Sequence, residues 1–371
     1  MVSIMRAALA VLLLSAALAA QTPDQASLVG LTLELHTAIQ NGSFNSAVEI
    51  ATRLDAAVQS QLRASLVRDS RERVDEVLSW LPTDTESVWV NQEPFTINTE
   101  ESERVLFGRP AQFYALDRLM VLNDGGFYSA LANNTVRLVV AATRGIPGPQ
   151  YGGYSIPGVM SPQDVVYLYF FSQPVELPPP DESDQGRPVW QASAKLDSGV
   201  PAHEGEERAQ REDRNWLALA RPDLLVLASQ KELLNEMLLR IARGSKTRAL
   251  PAALPEWAQT DRTAPFWGLR HYTARSKPKP GERGCAAAEL PIPDCNATGV
   301  TVRFDTAQQR LEIRYLSDTQ PAQRRPGDGG DRNFQVDQPQ TGVWRRVSDV
   351  EARGPYPVHF ALVMLGFGRY R

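Results

Sequence analysis

The sequence predicts an α+β fold: an N-terminal helical segment, then a mainly antiparallel sheet with a few helices packed on one side. Three observations carry this. Apolar residues recur at spacings of three and four through residues 28–81, the period of amphipathic helices. From Ser87 onward the pattern changes to short runs rich in β-branched and aromatic residues. Turn residues then separate several of those runs, and at 300–316 two of them alternate strictly enough to predict a hairpin.

The elements follow in order. A helix over 28–40 ends at Asn41-Gly42, a natural stop, and Ser43 can cap the next. That second helix carries Ala47, Ile50, Ala51, Leu54, Val58 and Leu62 on one face. A third is expected over 66–81, with Val67, Val74, Val77, Leu78 and Leu81 inward and Pro82 as its end. Strands are expected at 87–91, 95–97, 135–143 (TVRLVVAAT), 165–171 (VVYLYFF), 189–196, 216–220 and 224–228, with a helix over 111–121. Residues 197–214 are dense in charge and read as a solvated loop or short helix. Ser229-Gln230-Lys231-Glu232 has the spacing of a capping box, and Leu233, Leu234, Met237, Leu238 and Ile241 form the buried face of the helix it opens. In the hairpin, Val302 and Phe304 face Leu311, Ile313 and Tyr315, while Arg303, Glu312 and Arg314 face water. Residues 319–342 read as a flexible loop, and the apolar run at 358–367 reads as a buried final strand.

The first twenty residues have the organisation of a secretory signal peptide. Arg6 precedes an apolar run at 7–14, and Ala17-Leu18-Ala19 fits the small-x-small pattern of a cleavage site. The apolar stretch at 7–20 is shorter than the roughly 20 residues a membrane-spanning helix needs. No Cys follows the cleavage site, so a lipid anchor is not expected. The domain reading is therefore a signal peptide at 1–20, a helical segment at 21–82, an α+β domain at 83–318, a loop at 319–342 and a C-terminal segment at 343–371. Leu81-Pro82 before one strand and Leu254-Pro255 before another (PFWGLRHY, 265–272) suggest two similar halves within the α+β domain.

The 371 residues carry a formal net charge of −4 and 43% apolar residues. Such a mild acidic balance gives no electrostatic reason to expect nucleic acid or an anionic membrane as partner. The two cysteines, Cys285 and Cys295, are expected to form a structural disulfide in an oxidising compartment, worth roughly 2–3 kcal/mol for so short a loop. They lack both the C-x-x-C spacing of a redox pair and the histidines of a zinc site.

Motifs for chemistry fall short. The four histidines are His36, His203, His271 and His359. His36 and His359 are read as structural or exposed. His203 begins His-Glu-Gly-Glu-Glu, and Glu207 stands where a zinc-protease helix needs its second His. Ser155 sits in Gly-Tyr-Ser-Ile-Pro-Gly, where the second Gly is one place too far for a nucleophile elbow and Pro157 opposes a following helix. Asp328-Gly329-Gly330-Asp331 lacks the alternating acidic ligands and final Glu of a calcium loop. No phosphate-binding glycine loop occurs, so no cofactor is expected.

Two resemblances remain. Gly42-Ser43-Phe44-Asn45-Ser46-Ala47 resembles the helix–turn–helix core of a tetratricopeptide repeat over about 30 residues, in a single copy. The segments Leu81-Pro82-Thr83-Asp84-Thr85-Glu86 and Pro222-Asp223-Leu224-Leu225-Val226-Leu227-Ala228-Ser229 resemble exported bacterial proteins of unassigned function from soil bacteria, over much of residues 80–275. The second implies a secreted α+β protein and no active-site residues. The sequence thus predicts a periplasmic or secreted protein, more a binding or scaffolding protein of the cell envelope than an enzyme, with another envelope protein as candidate partner. The alternative is a secreted hydrolase whose site has no motif.

Overall fold

The computed structural model describes residues 23–97, 119, 127–144, 164–180, 182–184, 187–196, 211–244, 247–273, 297–305, 309–320, 335–351, 358, 361–362, 365 and 367. The chain divides into two compact units, Met1–Arg71 and Glu72–Arg371.

Helix α1 (Pro23–Gln40) belongs to the first unit, and helix α2 (Phe44–Trp80) begins in the first unit and ends in the second. The turn between them closes as the sequence predicts. Gly42 takes φ 69°, the N–H of Gly42 donates to the Ile39 carbonyl, and that of Ser43 donates to the Ala38 carbonyl. These two bonds satisfy the last carbonyls of α1 and turn the chain sharply, and the left-handed φ favours glycine. Leu31, Ala38 and Ala47 are buried in this hairpin. The break expected between the second and third helices is absent, because residues 44–80 contain no Gly or Pro and nothing stops helix propagation. Pro82 does end it.

The second unit is built on one antiparallel sheet. Its strands are β1 (Ser87–Asn91), β2 (Phe95–Thr96), β3 (Thr135–Thr143), β4 (Val165–Phe171), β5 (Glu182–Asp184), β6 (Arg187–Leu196), β7 (Arg211–Arg221), β8 (Leu224–Ala228), β9 (Phe266–His271), β10 (Ala297–Asp305), β11 (Arg310–Ser317), β12 (Gln335–Gln340) and β13 (Val343–Glu351). The order across the sheet is β12-β13-β11-β10-β9-β1-β3-β4-β8-β7-β6-β5, with β2 beside β3. Helices α3 (Phe127–Leu131), α4 (Lys231–Arg243) and α5 (Pro255–Gln259) complete it. An α+β fold with an N-terminal helical segment is what the structure shows.

The central strands are apolar on both faces, so both faces must be covered. In β4, Val166, Leu168 and Phe170 join a core with Val74, Val77, Leu78 and Leu81 of α2 and its end, and with Leu233, Leu234, Met237 and Leu238 of α4. Val165, Tyr167, Tyr169 and Phe171 join the opposite core with Trp89, Phe266, Val358, Ala361, Leu362 and Leu365. Helices on one side alone are therefore not the arrangement found. The final strand expected over 358–367 is also not found: Val358, Ala361 and Leu362 are helical, and Leu365 donates its N–H to the Ala361 carbonyl. Apolar positions 358, 361, 362 and 365 have helical spacing, and that period prevails over the run's hydrophobicity.

Two local expectations shift. Part of the loop expected over 319–342 pairs as β12 with β13. The Ser229 hydroxyl does not cap α4, whose N-cap is Gln230 with no side-chain capping bond. Ser229 instead accepts the Val165 N–H at 3.0 Å and donates its own N–H to the Val165 carbonyl, holding β8 to β4. The expected helix over 111–121 lies outside the described residues apart from Leu119.

In β1-β3-β4-β8-β7 and in β9-β10-β11-β13-β12, the strands appear as first, second, third, fifth and fourth in chain order. The two first strands, β1 and β9, pair with each other at the centre. Each follows one of the Leu-Pro steps noted in the sequence.

Candidate functional site

Three polar clusters lie around α5 and the neighbouring strands β9, β10 and β11. The first is centred on His271, the last residue of β9, paired with Gly299 of β10. Pro255 occupies the first turn of α5, where its missing N–H costs nothing, and sets the next residue, Glu256, against the sheet. The Glu256 carboxyl is fully buried, and its Oε1 lies 3.0 Å from His271 Nδ1. It occupies the space beside Gly299 that any Cβ there would take. Glu86, also buried, precedes β1. It accepts the His271 N–H on its carbonyl and the Thr273 hydroxyl on Oε1. The Oε2 atoms of Glu86 and Glu256 are buried and accept no hydrogen bond.

This arrangement fixes the imidazole. The contact at Nδ1 holds the ring in one orientation and leaves Nε2 on the side away from Glu256. The hydrogen bond to Glu256 raises the His271 pKa above its ordinary 6.5; burial opposes this, and the charges of Glu256 and Glu86 add to it. The His271 side chain stays one-third exposed, so one edge meets a buried carboxylate while part of the ring surface reaches solvent. A carboxylate-oriented imidazole can serve as a general base or as a ligand. Among the described residues, no group of three or more His, Cys, Asp or Glu is placed to hold a metal ion.

The second cluster covers the outer face of the β10–β11 hairpin. Arg303 reaches Asp261 and Glu312 at 3.0 Å each, and Arg314 pairs with Glu312. Arg345 of β13 donates to the Gln259 side-chain oxygen at 2.7 Å and pairs with Asp337 of β12. The alternation expected here is present, with Val302 opposite Ile313 and Phe304 opposite Leu311 in the ladder. The outward side chains form an ion network rather than a freely solvated face. The third cluster anchors α5: Arg248 and Arg262 stack on Trp257 at 4.9 and 5.6 Å, and Asp75 lies 3.1 and 3.2 Å from the two guanidinium groups. Cations are already engaged in both places, which gives them a structural role.

The residues singled out from the sequence fare differently. His36 lies exposed on α1 and accepts the Gln40 amide at 2.9 Å, in keeping with a structural role. Cys285, Cys295, His203, Ser155, His359 and Asp328–Asp331 lie outside the described residues. His271 carried no motif, and its partners sit 15 and 185 positions away. Only the β1–β9–β10 pairing brings them together.

No protein-family model matches the chain, and no curated protein matches it. Among solved structures, the chain is similar to one described as "Structure of crystal form I of TP0453", at 8% identity over 75% of this chain and 93% of that one, with a TM-score of 0.35. A second, "Structure of crystal form III of TP0453", gives 9% identity, coverage of 76% and 97%, and a TM-score of 0.33. At such scores the likeness carries no argument about function.

Proposed function

We propose that the protein is an exported binding or scaffolding protein of the cell envelope, docking a protein partner through its N-terminal helical hairpin. The observation that carries this reading is where large apolar side chains meet solvent. Of the five such residues among those described, four lie within sixteen positions of that hairpin: Leu33, Ile39, Phe44 and Val48. Among the described residues of the sheet unit, large apolar side chains other than Val336 are buried or partly buried. Concentrated exposure of this kind marks interaction surfaces. The secretory leader at 1–20 supports the compartment, and no described helix is long and apolar enough to cross a membrane.

The test combines localisation with in-cell cross-linking. A photo-reactive residue at position 44 is expected to give a discrete adduct in the envelope fraction, with the leader removed. Retention of the leader in a cytoplasmic protein, or no adduct at 44 beyond that at a buried control position, overturns the reading.

A second reading, a secreted hydrolase, draws support from the Glu256–His271 pair alone. Its test is a panel of ester, peptide and glycoside substrates with the wild-type protein and His271→Gln. Turnover abolished by that substitution would establish it.

A further inference from the structure

We propose that the partner of the helical hairpin is a second copy of this chain, joined to the first through one flank of α1 and α2. This rests on the docking reading above and names its partner. At 100° per residue, the inward face of α1 is centred on the buried Leu31 and Ala38, and that of α2 on the buried Ala47 and the half-buried Leu54. Placed antiparallel, the two helices then point Ile39, Phe44 and Val48 to the same flank. Thr32, His36 and Thr52 project there too. Glu34 and Arg53 fall on the opposite flank, where they meet at 3.7 Å, as that construction requires.

Among the described residues this flank carries no Lys or Arg, and its one carboxylate, Asp55, points to the same side two turns beyond Val48. That charge pattern chooses the occupant. A two-fold contact sets a surface against itself, so like charges on it would repel, and this flank has almost none. A lipid surface calls for basic residues around the apolar stripe, and they are missing. The area fits as well. Ile39, Phe44 and Val48 are 54, 73 and 67% exposed, roughly 350 Å² together, against the about 450 Å² of apolar surface that each side of a standard interface contributes.

The experiment is analytical ultracentrifugation of the full processed protein, with Phe44→Asp/Val48→Asp and, as a control on the opposite flank, Glu34→Lys. The wild type and the control are expected to dimerise with a Kd below about 100 µM. The double variant should sediment as a monomer with an unchanged far-ultraviolet circular dichroism spectrum. Ile39→Asp provides the same readout if the double variant misfolds. A wild type that stays monomeric, or a folded flank variant that still dimerises, overturns the proposal. If the purified wild type is monomeric while the in-cell adduct at position 44 persists, self-association fails and the docking reading stands. If the wild type instead sediments with lipid vesicles as a monomer, a membrane occupies the flank and the proposal is overturned.

Discussion

His271 Nδ1 lies 3.0 Å from Oε1 of Glu256, a carboxyl with no solvent exposure. The pair joins the end of β9 to a five-residue helix, and its proton is held more tightly in the folded protein than in the unfolded chain. The His271 pKa is raised, first by this hydrogen bond. A raised folded-state pKa contributes stability that is fully present below the ordinary value of 6.5 and lost as pH rises through the folded value. Nuclear magnetic resonance titration of the imidazole should place its midpoint above 6.5, and Glu256→Gln should move it down. A midpoint at or below 6.5 in the wild type contradicts the geometry.

Gly299→Ala tests the same pair from the backbone. The added Cβ falls on the Glu256 carboxyl, so Glu256 must be displaced. Overpacking of this kind costs about 1–3 kcal/mol. Urea denaturation should show that loss, and the His271 midpoint should fall in the variant. A destabilised protein with an unmoved His271 titration would mean that Glu256 is not its partner.

Gly268→Ala probes the C-terminal segment. Gly268 pairs with Trp89 across β1 and β9, and a Cβ there would meet Leu365 as well as Trp89 and Val302 at 3.2 Å each. We expect a loss of about 1–3 kcal/mol. Leu365→Ala should cost less in the Gly268→Ala background than in the wild type, because the clash is then relieved. Additive costs in the double-mutant cycle would place Leu365 away from Gly268.

The two apolar populations should respond in opposite ways. Leu234→Ala, in the core between α4 and the sheet, is expected to cost about 2–5 kcal/mol. Phe44→Ala, at 73% exposure, should stay within about 0.5 kcal/mol when measured on monomeric protein at low concentration. Equal losses would show that Phe44 is packed within its own chain.

Acid should weaken the ion network on the β10–β11 hairpin. Asp261 is buried enough to raise its pKa, but hydrogen bonds from Thr263 and Arg303 outweigh burial and hold it below the ordinary 3.8. A depressed pKa contributes stability present above 3.8 and lost as pH falls through the folded value. Urea midpoints from pH 5 downward should fall further for the wild type than for Asp261→Asn. Parallel falls would remove Asp261 from the network.

Much of the sheet was legible because a buried central strand leaves a compositional mark. The runs at 135–143, 165–171 and 224–228 have the same bounds in the structure as in the sequence reading. Failures came where one local signal competed with another. Residues 358–367 are apolar enough for a strand, yet the spacing of 358, 361, 362 and 365 is helical. Ser229 has capping-box spacing, but pairing with β4 offered its hydroxyl a backbone N–H first.

The sequence by itself determined the α+β class, the Gly42 turn, the bounds of several apolar strands and the alternation of the β10–β11 hairpin. Each of these is written in neighbouring residues, through backbone conformation or through the periods of helix and strand. Only the tertiary structure decided that both faces of the sheet are covered, that β1 and β9 meet at its centre, and that Glu86, Glu256 and His271 share one site. Those facts depend on which strands pair, and strand pairing joins residues with no local relation in the chain. For the same reason the exposed flank at Ile39, Phe44 and Val48 could not be told from core in the sequence: a hydrophobic side chain records its own chemistry and not the presence of a neighbour.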